Sequence, residues 1–181
     1  LVSKMQDVTA LTVGQPDFVT PWHVREAAIE SIEAGKTYYT SNSGLRELRD
    51  AISAYMQRRF SLSYDAHSEI FVTVGGSEAI DVAMRAVINP GDEVIVPMPS
   101  FVCYGPMAKM AGASVVTIDT KPENSFKLTP EELRAAITPK TKLLVLPYPN
   151  NPTGALYPME ILEQIVAIAR EHQLIIFSDE I

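Results

Sequence analysis

The chain is 181 residues long, 46% hydrophobic and 20% charged, a balance that suits a globular core and excludes disorder. Its net charge of −7 and pI near 5.0, with no basic spot denser than "QRR", exclude an electrostatic footprint for nucleic acid or anionic lipid. Cys103 is the single cysteine, which excludes an intrachain disulfide and a cysteine cluster for zinc, and His23, His67 and His172 stand too far apart for a paired metal site.

In chain order, "LTVGQPDF" predicts a short extended piece with a Gly-centred turn. "TPWHVREAAIESIEAG" and "GLRELRDAISAYMQRRF" predict helices, and "KTYYTSNSG" between them predicts a loop. From Glu69 onward, strands and helices alternate. "EIFVTV", "EVIVPM", "SVVTID", "KLLVLPY" and "LIIFSD" read as strands. "SEAIDVAMRAVI" and "FVCYGPMAKMAG" read as helices, the second ended by Gly112. In "TPEEL", Thr129 is the expected N-cap, Pro130 the first helical residue and Glu132 the far side of a capping box. "MEILEQIVAIAREHQ" is amphipathic, with Leu162, Ile165, Val166 and Ala169 on one face. Strands that run continuously apolar between helices predict a three-layer α/β/α fold around a mostly parallel sheet.

Ligands of open parallel sheets bind beyond the carboxyl ends of the strands. "VGGSEA" brings two glycines, the hydroxyl of Ser77 and a helix N-terminus to one such end, a set suited to phosphate. The same residues also suit a plain strand-to-helix turn with Ser77 as cap. In "PSFVCYG", Phe101 can stack on a planar ring or serve as a core aromatic. In "PNNPTG", Asn151 precedes Pro152 and is held extended, so its amide can project as a fixed donor, or the pair is a simple turn. Asp179 ends the last strand, where burial of a carboxylate calls for a cation or a strong donor; a solvated acid capping a following helix is the other reading. Together these residues suit a phosphorylated, aromatic, cationic ring.

The motifs "VGQPDF.TP", "YYTSNSGLRELRDAI", "VGGSEAI", "NPGDEVIVPMPSF", "YPNNPTG" and "SDEI" follow one another in an order and spacing that resemble the class I/II aminotransferases. These are fold type I enzymes that use pyridoxal 5′-phosphate (PLP). The resemblance runs through essentially the whole chain. It implies that Gly76 and Ser77 hold the PLP phosphate, that Phe101 stacks on the pyridine ring and that Asn151 donates to the ring's 3′ oxygen. Asp179 is implied as the partner of the protonated ring nitrogen, which keeps the ring an electron sink. Gly14 is implied near the substrate carboxylate, and Tyr39 at the PLP phosphate of a neighbouring subunit. The implied assembly is a homodimer with shared active sites, working in amino-acid metabolism on an amino acid and a 2-oxo acid; the single cysteine and an N-terminus without a signal-peptide apolar core make the cytoplasm the expected compartment. Trp22 lines the substrate entrance or packs locally; both readings stay open.

The family's chemistry also needs a lysine that bonds PLP covalently, downstream of "SDEI", and an arginine for the substrate carboxylate. None of Lys4, Lys36, Lys109, Lys121, Lys127, Lys140 and Lys142 stands in that context, so no catalytic residue is expected among these. The expectation is therefore an N-terminal portion of a longer polypeptide, truncated within the sheet and inactive by itself. Residues 1–24 would form an arm and the start of a small domain, and 25–181 an incomplete PLP-binding large domain. Two other functions fit the same motifs: a PLP-dependent C–S β-lyase, and an aminotransferase-like ligand-sensing module of a regulator.

Overall fold

The computed structural model describes residue 14 and residues 16–180. They fall into two compact units, one ending at Leu45 and one beginning at Arg46. In the first, α1 (Trp22–Glu33) follows Pro21, whose extended backbone starts the helix without a side-chain cap. None of its residues is buried, and Arg25 lies over the Trp22 ring at 5.2 Å. Residues 36–44 form the predicted loop. The extended piece expected around "LTVGQPDF" falls largely outside the described residues.

The second unit opens with α2 (Arg46–Phe60) and α3 (Gly76–Val87). There follow β1 (Glu93–Met98), α4 (Tyr104–Met110), β2 (Ser114–Asp119), α5 (Pro130–Ala136), β3 (Thr141–Pro147), α6 (Met159–Glu171) and β4 (Ile175–Asp179). The strands form one sheet in the order β2-β1-β3-β4, with every pairing parallel. Ile95 pairs with Leu144, and Leu144 with Ile176.

Side-chain alternation explains why these strands read as unbroken apolar runs. Val94, Val96, Leu143 and Val145 pack with Ile80 and Met84 of α3 and Tyr104 and Ala108 of α4. Ile95, Leu144 and Leu146 pack on the other face with Leu133 of α5 and Ile165 and Ile168 of α6. Both faces are covered, so the buried middle positions of the central strands, Val94–Pro97 and Leu143–Pro147, are all apolar. On α6 the inward face is Ile165, Ile168 and Ala169, while Leu162 and Val166 are half-buried beside it. Gly112 closes the turn after α4 at φ +97, where a Cβ would meet Pro90 at 3.3 Å, so both its conformation and its neighbour favour glycine.

The capping box of α5 forms as expected. Glu132 N–H donates to Thr129 Oγ1 at 3.2 Å, and Thr129 N–H donates to the Glu132 carboxylate at 3.0 Å. Thr129→Ala removes one of these reciprocal bonds, and a loss of about 1 kcal/mol in urea-unfolding stability is expected. An unchanged midpoint would show that Pro130 and tertiary packing alone fix the start of α5.

"EIFVTV" does not form a strand. Residues 69–74 have no strand partner among the described residues, and Phe71 and Val74 are 53% and 92% exposed. A strand exists only where a neighbour completes its hydrogen bonds, and a run of β-formers carries no information about that neighbour. The helix predicted over 101–112 is also shorter than its pattern, beginning at Tyr104 after a turn in which Tyr104 N–H meets the Phe101 carbonyl.

Candidate functional site

Gly76, Ser77, Ile80, Phe101, Asn151 and Asp179 line one cavity of about 210 Å³. It lies where the start of α3 meets the carboxyl ends of β1, β3 and β4. All the sequence-predicted residues of this unit are among its walls.

Gly75 is the N-cap of α3 at φ +84, a left-handed conformation that turns the incoming chain into the helix. No side chain caps α3, so the reading of Ser77 as a helix cap does not hold; Ser77 lies inside the first turn. A Cβ added at Gly76 would meet nothing within 4 Å, so the approach to the helix N-terminus is open. The Glu78 carboxylate turns back to accept from the Val74 N–H, and the Thr73 hydroxyl donates to the Gly75 carbonyl at 2.9 Å. These contacts fix the entry to the turn while leaving the first helical N–H groups to a ligand.

Phe101 has the packing that the core reading expects and also faces the cavity. It is half-buried against the α3–α4 core, edge-on to Tyr104 with centroids 5.8 Å apart, and it also lines the cavity. Asn151 lies in the exposed turn after β3, where its side chain makes no hydrogen bond to a described residue. The peptide bonds Met98–Pro99, Tyr148–Pro149 and Asn151–Pro152 are all cis.

The order of this rim comes from Asn150, which the sequence reading passed over. Asn150 is buried, and its Nδ2 donates to the Pro99 carbonyl at 2.9 Å and to Thr153 Oγ1 at 2.7 Å. Its own carbonyl accepts from Gly154 N–H at 2.7 Å. One side chain thus ties the loop after β1 to the loop after β3, holding Phe101 and Asn151 on a common frame. Its signal in the sequence is the doubled asparagine of "PNNPTG".

Asp179 is half-buried, and the alternative of a fully solvated acid does not hold. Tyr104 Oη donates to its Oδ2 at 2.6 Å, while the backbone carbonyl of Asp179 accepts from Tyr148 N–H at 2.9 Å. Burial, then the bond to Asp179, raises the Tyr104 phenol well above its ordinary range, so it remains a donor. Gly14 and Tyr39 belong to the first unit. Gly14 is exposed, and Tyr39 lies fully exposed on the loop, where it lines an open hollow with Thr37 and Tyr38. Among the described residues, no group of His, Cys, Asp and Glu is placed to hold a metal ion, and no helix is long and apolar enough to cross a membrane.

The family model for aminotransferase class I and II matches residues 6–181. The aspartate/prephenate aminotransferase of Thermus thermophilus is 48% identical over 175 residues, covering 97% of this chain and 45% of that protein. The asparagine–oxo-acid transaminase of Streptococcus mutans is 45% identical over 182 residues, covering 100% of this chain and 46% of that protein. A solved structure, the aromatic aminotransferase of Pyrococcus horikoshii, superposes with a TM-score of 0.94 at 38% identity, covering 99% of this chain and 48% of that one. The chain therefore spans about half the length of the curated relatives it matches. With its parallel α/β sheet and these matches, the chain belongs to the class I and II aminotransferase family.

Proposed function

We propose that the whole protein is a PLP-dependent aminotransferase that moves an amino group from an amino acid to a 2-oxo acid, and that this chain supplies the residues that hold the cofactor. The observation that carries the proposal is the single cavity walled by Gly76, Ser77, Phe101, Asn151 and Asp179.

Each wall fits one part of PLP. The uncapped start of α3 offers backbone N–H groups and the Ser77 hydroxyl to a phosphate, with the helix dipole favouring the anion. Phe101 offers an aromatic face to a planar ring. The Asn151 amide, without a hydrogen bond to any described residue, donates to the ring's 3′ oxygen. Asp179 places a carboxylate where a protonated ring nitrogen would pair with it. PLP, when bound, supplies a cationic pyridine ring that draws electrons from the substrate Cα. The protein's own residues bind that ring, orient it and keep its nitrogen charged.

Gly14 is assigned to the substrate carboxylate and Tyr39 to the phosphate of a neighbouring subunit, which makes the assembly a homodimer. The proposed setting is amino-acid biosynthesis in the cytoplasm. The names of the relatives, all amino-group transfers, favour this reading over C–S bond elimination. Assayed as the whole protein with PLP, the expected result is glutamate formation from 2-oxoglutarate and a second amino acid, in ping-pong fashion. Pyruvate release from cystathionine without any 2-oxo acid would overturn it in favour of a lyase.

A further inference from the structure

The carboxylate of Asp179 is held from the core side. Tyr104 is fully buried among Met84, Val96, Ala108 and Val145, and a phenol so placed needs a hydrogen-bond partner. Its partner lies 75 residues away in sequence, at the end of β4. Strand alternation explains the meeting: Phe177 packs into the α3–α4 core, and Asp179, two residues on, projects from the same face of β4. The contact of 2.6 Å lies in the range of a charge-assisted bond between a hydroxyl and a carboxylate. It occupies Oδ2 alone; Oδ1 accepts no hydrogen bond from any described residue, although Asp179 lines the cavity.

We propose that Tyr104 is the positioning residue of Asp179: by fixing Oδ2 against the core, it leaves Oδ1 as the oxygen presented to a cationic ring N–H in the cavity. This rests on the cofactor reading above. A carboxylate at a strand end rotates freely about χ1 and χ2 unless something holds it, and rotation would spoil a bond to a fixed ring. The phenol removes that freedom at a point sealed from water. Phe101 makes the arrangement compact, because it packs edge-on to the Tyr104 ring while it lines the same cavity.

The alternative is that Asp179 merely satisfies a buried phenol. Binding of pyridoxamine 5′-phosphate separates the two, measured beside its ring-carbon analogue, in which CH replaces the ring nitrogen. The unmutated protein should prefer the nitrogen-containing ring. Tyr104→Phe should weaken pyridoxamine 5′-phosphate binding about tenfold while leaving the analogue unchanged. The absorbance-monitored protonation midpoint of the bound ring should fall toward its free value. The double variant Tyr104→Phe/Asp179→Asn should bind no worse than Asp179→Asn alone, as expected if Tyr104 acts through Asp179.

Equal weakening of both ligands, an unchanged or raised protonation midpoint, or additive losses in the double variant would overturn the proposal. Failure of the unmutated protein to prefer the nitrogen-containing ring would overturn the cofactor reading as well. If Tyr104→Phe does not fold, the phenol proton of the unmutated protein serves instead. Its downfield hydroxyl resonance should move upfield in Asp179→Asn, where the acceptor is a neutral amide oxygen, and shift when pyridoxamine 5′-phosphate is added; a resonance unmoved by the ligand would overturn the proposal.

Discussion

Asp179→Asn is expected to cut amino transfer by the whole protein on the order of 10²–10³-fold, the cost of leaving one member of a partly buried ion pair without its partner. The substitution keeps the shape of the side chain and removes only its charge. Tyr104 still finds an oxygen to donate to, so the fold should survive, and circular dichroism should be unchanged. The phosphate end of the cofactor is gripped elsewhere, by the start of α3, so PLP should still bind at raised concentration. The loss should therefore persist at saturating PLP and appear in kcat, because the interaction weakened is the one that keeps the ring cationic during reaction. Steady-state kinetics at several PLP concentrations checks this. Undiminished turnover would remove Asp179 from the site.

The second large effect concerns the sheet. Leu144 is fully buried and lies between Ile95 and Ile176 in register, packed on the α5–α6 side with Leu133, Ile165 and Ile168. Leu144→Ala deletes side-chain volume where the neighbours on two sides are held by strand pairing and those above it belong to packed helices, so the site collapses little. A loss of about 2–5 kcal/mol is expected. That is a large share of the roughly 5–15 kcal/mol that stabilises a typical domain. Urea unfolding should show a lower midpoint with an unchanged slope. A slope that also changes would mean that the substitution alters the compactness of one of the states. A change at the exposed Lys140 just before the same strand, Lys140→Ala, should move the stability by no more than about 0.5 kcal/mol.

Much of this architecture was legible in the sequence because its causes are local. "EVIVPM" and "SVVTID" are strands with the predicted bounds, and Thr129 caps α5 through contacts spanning three residues. Gly76, Ser77, Phe101, Asn151 and Asp179 could be gathered in advance because the carboxyl ends of parallel strands share one rim. What escaped was relational. "EIFVTV" has the composition of a strand and has, among the described residues, no neighbour that would make it one. Tyr104 read as one more aromatic in a helix, and nothing near it in sequence points to a carboxylate 75 residues away. Asn150 was overshadowed by Asn151, since burial, which decides between two adjacent asparagines, is a tertiary property.

The strand order carries a consequence for how the molecule assembles. β1-α4-β2 and β3-α6-β4 are each a local crossover that can form from neighbouring sequence, whereas the β1–β3 pairing joins them with α4, β2 and α5 between and is irregular between Glu93 and Val94. The molecule thus has a seam, expected from its greater sequence separation to close after the two crossovers. Phe101 and Tyr104 stand on one side of it, and Asn150, Asn151 and Asp179 on the other. A ligand gripping both sides works as a clasp. It should retard the parting of the two halves and raise the unfolding temperature in proportion to the logarithm of its concentration, so that heat stability itself becomes a readout of what the cavity holds.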